Sequence, residues 1–161
     1  LMNANSDQIE EICNIPSIVI ANVNSPFQIV VSGEEKQINK ALDLSKKISI
    51  RKAIKLNVSG AFHSPLMKDV TEDLKKTLDS VNFNDAIIPV YQNMTSKPTI
   101  NGVDLKRNLL NQVENPVDWI KIITNMDNNN ASLYIETGPG NILQGLNKKI
   151  TKNETIIFNE I

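Results

Sequence analysis

The apolar spacing of this chain changes period at one place, residues 59–65, and that change demands a strand-to-helix junction. Upstream, Ala53, Ile54, Leu56 and Val58 mostly alternate, which predicts a strand with one buried face. Downstream, Leu66, Met67, Val70, Leu74, Leu78 and Val81 recur at helical spacing. Pro65 disfavours helical backbone at Ser64 and itself suits the first helical position, so Ser64 is the expected N-cap. His63, the only histidine in the sequence, then lies just outside a helix N-terminus. The positive end of the helix dipole is expected to keep the imidazole neutral and able to accept a proton, as a general base must. A lone histidine that only packs or hydrogen-bonds satisfies the same pattern.

The rest of the composition narrows the classes. With 17 basic and 18 acidic residues in 161 the net charge is −1, so no global field argues for nucleic acid or an anionic membrane, and anion recognition must be local. The single Cys13 makes no internal disulfide, and without a Cys/His cluster no metal or cofactor is expected. No apolar run approaches a membrane span and the start carries no basic-then-apolar leader, so a reducing location is expected, cytoplasmic or, in a eukaryote, an organelle stroma or matrix.

In chain order, Asn5 or Ser6 caps a short helix with Ile9, Ile12 and Cys13 on one face, Cys13 serving as a small core residue rather than a reactive thiol. Residues 17–23 and 27–32 are β-rich runs around Asn24-Ser25-Pro26, either a hairpin or neighbouring strands. Residues 34–47 are helical. Helix, strand, strand, helix, strand describes a small ferredoxin-like α+β sandwich lacking its first strand, assigned to residues 1–58. In residues 59–161, a short buried strand at 87–91, helices at 105–113 and 117–126, a strand at 132–136 and a helix carrying Ile142 to Ile150 predict a parallel sheet covered by helices.

Candidate chemistry is sparse. Gly138-Pro139-Gly140 lies between strand and helix, as a phosphate cradle would, but its spacing matches neither GxGxxG nor a P-loop, and a tight turn explains it equally. Arg51-Lys52 is the compact positive site near His63. Asn22, Asn24 and Gln28 are uncharged groups beside a proline turn. Ser64, as an N-cap, points at backbone amides, and no G-x-S-x-G occurs. A plausible base is present without its nucleophile.

Four ordered blocks, Asn22 to Gly33, Ser59 to Met67, Gln112 to Trp119 and Glu136 to Ile150, together resemble the malonyl-CoA:acyl-carrier-protein transacylase family of type II fatty acid synthesis. The resemblance covers nearly the whole chain but only the C-terminal half of that family. It implies an α/β, hydrolase-like acyltransferase core, here partial, with the small subdomain attached. It implies malonyl-CoA and acyl carrier protein as partners. His63 matches the base that deprotonates a serine, and Gln112 the residue whose backbone carbonyl orients the imidazole. Asn24 and Gln28 match residues lining the cleft where pantetheine lies, and Arg51 and Lys52 a basic pair facing CoA phosphates or the acidic carrier protein. Phe62 matches the malonyl-selective form, its ring excluding an α-methyl branch, although a plain core aromatic is the simpler role.

The departures are as informative. The family's nucleophilic serine, its oxyanion loop and the arginine that clamps the malonyl carboxylate belong to the half with no counterpart here, and neither Arg51 nor Arg107 sits in that arginine's motif. The chain is therefore expected to act with a complementing N-terminal chain or segment, or to be a non-catalytic binder of carrier protein or CoA. A thioesterase-like hydrolase ranks below both. Unpaired strand edges and apolar faces, with poor solubility alone, are expected to follow.

Overall fold

Helix α1 (Ser6–Cys13) begins with a reciprocal cap: Gln8 N–H donates to Asn5 Oδ1 and Asn5 N–H to Gln8 Oε1, both at 2.9 Å. Strands β1 (Val19–Ser25) and β2 (Gln28–Ser32) form an antiparallel hairpin across Pro26-Phe27, the first of the two arrangements open in the sequence. Helix α2 (Glu35–Lys47) follows. Buried Ala41 and Ser45 let it approach the hairpin and α1, and Ile12, Ile18, Ala41 and Ile50 form the core there. Each buried isoleucine contributes about 1.5–3 kcal/mol relative to exposure. The computed structural model describes residues 1–158.

The strand expected over Ala53–Val58 does not form. Met2 pairs with both Gln28 and Lys52, but beyond Lys52 the segment joins no ladder, and Ile54, Leu56 and Val58 are 58, 54 and 60% exposed. Alternation states which face a strand would bury; it does not supply the neighbour that pairs with it.

The junction at Ser64 is built as expected in its first turn. Ser64 is buried, accepts from Leu66 N–H at 3.3 Å and donates to the Ala61 carbonyl at 2.6 Å. Residues Pro65–Met67 are a 3-10 turn leading into α3 (Lys68–Asp79), which buries Met67 and Leu78 but leaves Leu66, Val70 and Val81 about half exposed. The strand expected over 87–91 is only β3 (Val90–Tyr91), paired antiparallel with β4 (Pro98–Thr99). Ile87 and Ile88 are exposed rather than buried, because no described element covers them.

Helix α4 (Gly102–Asn111) starts against the 83–84 backbone, where a Cβ on Gly102 would drive into the Phe83 carbonyl. Strand β5 (Val117–Asp118) lies parallel to β1, with Asn22 opposite Val117, and completes a mixed sheet of order β2-β1-β5. Helix α5 (Trp119–Asn128) leads to β6 (Leu133–Glu136), which is parallel to β7 (Glu154–Ile157) across α6 (Ile142–Asn147). The fold is α/β with flanking helices, as expected, and its parallel pairs, β1 with β5 and β6 with β7, stand in separate sheets. Among the described residues no helix is long and apolar enough to cross a membrane.

Candidate active site

Helix α4 ends in the turn that organises His63. Asn115-Pro116 stops the helix, since a residue before proline avoids helical backbone, and Asn115 Nδ2 donates back to the Asn111 carbonyl at 2.8 Å. The turn presents three carbonyls to one residue. His63 N–H donates to Val113 O at 3.1 Å, and the ring Nδ1 lies 2.9 Å from Gln112 O and 3.1 Å from Asn115 O. The His63 backbone is left-handed, with φ +59°, a conformation histidine tolerates better than most residues.

Carbonyl oxygens only accept, so Nδ1 carries the proton and the neutral ring offers its Nε2 lone pair. The expected link between His63 and Gln112 is therefore present in the fold, and Asn115 and Val113 join it. The ring faces the carbonyls of the turn at the C-terminal end of α4. A partner 49 residues away leaves no trace in local spacing. Among the described residues no hydroxyl or thiol is hydrogen-bonded to Nε2.

The other candidates do not gather on His63. Phe62, 45% exposed, joins Gln28 and Lys52 around a mainly apolar cavity of about 630 Å³ between β2, α2 and residues 52–61. Asn24 sits at the irregularity between Val23 and Ser25 in the β1–β2 register, past the Asp118 end of β5. Arg51 is exposed, and among the described residues neither it nor Lys52 makes an ion pair.

The Gly138–Gly140 turn is conformational. Gly138 and Gly140 have φ +136° and +91° with open space where a Cβ would be, so left-handed backbone rather than close packing calls for glycine. Glu136 accepts from Leu143 N–H at 3.0 Å and Gln144 N–H at 2.8 Å. The amides a phosphate would need are held by a carboxylate, which decides for the turn. Burial pushes the Cys13 thiol up, in line with a packing role. Burial also opposes ionisation of Asp127, but hydrogen bonds from Tyr134, Thr151 and Asn153 outweigh it and hold its carboxyl below the usual range. Burial, then the bond to Asp127, pushes the Tyr134 hydroxyl up. Among the described residues no cluster could hold a metal ion.

The mixed sheet with its flanking helices matches a known class. The chain belongs to the acyl transferase domain family, matching it over residues 1–155. It is 37% identical over 147 residues to the malonyl CoA-acyl carrier protein transacylase of Bacillus subtilis, covering 91% of this chain and 46% of that protein. The crystal structure of the Synechocystis malonyl-CoA:ACP transacylase superposes with TM-score 0.90 at 34% identity, over 98% of this chain and 53% of that one. A malonyl-transacylase in complex with a type II PKS acyl-carrier protein superposes at 0.92 with 27% identity, over 99% and 53%. The chain thus spans about half the length of these relatives.

Proposed function

We propose that this chain is the histidine-bearing part of a malonyl-CoA:acyl-carrier-protein transacylase, acting with polypeptide that supplies the nucleophilic serine. The carrying observation is the His63 ring, with Nδ1 2.9 Å from Gln112 O and Nε2 left as the base. Nε2 takes the serine proton as the hydroxyl attacks the malonyl thioester, and returns it to the CoA sulfur as the C–S bond breaks. The second half-reaction runs in reverse, with the pantetheine thiol of the carrier protein attacking the serine ester and His63 taking the thiol proton. Phe62 excludes α-branched acyl groups, and Asn24 and Gln28 border the pantetheine path. In this reading residues 1–58 are the small subdomain and 59–161 part of the core, joined through the β1–β5 pair. The location is cytoplasmic.

The test joins the unmatched half of the Bacillus relative ahead of Leu1 in one polypeptide. Malonyl-CoA should then leave a malonyl adduct on serine, detected by mass and transferred to carrier protein. Undiminished transfer with His63→Asn sinks the proposal. A second reading is supported by the basic pair Arg51-Lys52, which makes no ion pair among the described residues: a non-catalytic binder of the acidic carrier protein. Binding by the 161-residue chain that Arg51→Glu abolishes, with no adduct in the joined polypeptide, favours it.

A further inference from the structure

One face of α4 carries polar side chains where apolar ones would pack as well. Asn108 is only 3% exposed and lies in helical register with Leu105 and Gln112. Its Nδ2 donates to Gln92 Oε1 at 3.2 Å, and Gln92 Nε2 donates to the Leu105 carbonyl at 2.9 Å. The next residue, Asn93, donates from Nδ2 to Gln112 Oε1 at 3.3 Å. Two consecutive residues following β3 thus grip the last two turns of α4. Their loop is fixed in turn: Ser96 N–H donates to the Gln92 carbonyl at 2.9 Å, and Asn125 of α5 donates to the Ser96 carbonyl at 2.6 Å.

Directional amide pairs add little net stability over an apolar pair of the same shape, but they fix geometry. What they fix here is the end of α4, the source of every carbonyl that holds His63. We infer that Asn93 is a positioning residue for His63. Through the Gln112 side chain it holds the residue whose carbonyl accepts the Nδ1 proton, while Gln92 and Asn108 fix the helical turn beneath. The inference deepens the reading of His63 as the base and rests on it for its meaning.

The chain has a single histidine, so imidazole ¹⁵N spectroscopy of the full chain reads His63 alone. The Nδ1–H tautomer should dominate. Asn93→Ala should lower the Nδ1–H to Nε2–H ratio by about fivefold, the equivalent of one net hydrogen bond. Gln112→Ala deletes the other end of the same bond yet keeps the backbone carbonyl, so it should produce the same fall, and the double variant no further fall. Asn93→Asp, which accepts from the Gln112 amide once that group turns over, should restore most of the ratio. An unchanged ratio in folded Asn93→Ala, with only a lowered urea midpoint, makes Asn93 merely structural and overturns the inference. Should Asn93→Ala not fold, an unchanged ratio in Gln112→Ala overturns it instead. The measurement needs no acyl transfer, so a failed transfer assay leaves it standing.

Discussion

Two edges of the molecule that the sequence describes in similar terms are built in opposite ways. At His63 every polar group of the ring's Nδ1 side finds a partner, and the partners come from a single turn at the end of α4. At residues 53–58 an apolar alternation ends in exposed side chains beside a cavity, and the bridge from Met2 reaches no further than Lys52. Main-chain carbonyls a few residues apart are enough to orient an imidazole. A strand needs a neighbour along its whole length.

The largest effect that sharpens this contrast is catalytic. In the joined polypeptide, His63→Asn should reduce malonyl transfer by about 10²–10⁴-fold, the range of a general base, with the thermal midpoint little changed; steady-state transfer to carrier protein measures it. Next comes packing. Ile12→Ala should cost about 2–5 kcal/mol in urea unfolding, as deletions in well-packed cores do. Leu56→Ser should stay within about 0.5 kcal/mol, as exposed sites do. Equal losses would break the comparison, since 53–58 would then be packed. Ser64→Ala removes both the cap and the bond to Ala61, and should cost about 0.5–2 kcal/mol by the same assay.

The smallest effect is a pH dependence. The Asp127 carboxyl is depressed in the fold, so its contribution is fully present above the unfolded value of about 3.9 and disappears as pH falls through the folded one. The stability advantage of the wild-type chain over Asp127→Asn should hold from neutral pH to about pH 4 and shrink below it. An advantage that grows on acidification would contradict the assignment.

Much of this was legible residue by residue. Asn24-Ser25-Pro26 marked the turn between β1 and β2, Ser64-Pro65 marked the cap, and the helical periods marked α2 and α3, because each signal is local. The pairing of His63 with Gln112 came only through family resemblance, since nothing local links positions so far apart. Asn108 could not be read at all. An asparagine on the inner face of a helix looks like an interruption of the apolar period until Gln92 is seen opposite it. Strands β4 and β7 were missed for a related reason, being defined by partners rather than by pattern. The sequence showed only the helix that follows His63, while the ring's hydrogen bonds come from the end of another.

The left-handed backbone at His63 means that, under the proposed function, this residue meets two unrelated demands, one of torsion and one of chemistry. Replacements there divide accordingly. Glycine and asparagine should satisfy the torsion and leave an inert but folded protein, whereas valine or isoleucine should fail on both counts. A substitution survey at this position therefore lays backbone tolerance over the proposed proton transfer, and the glycine and asparagine variants separate the two.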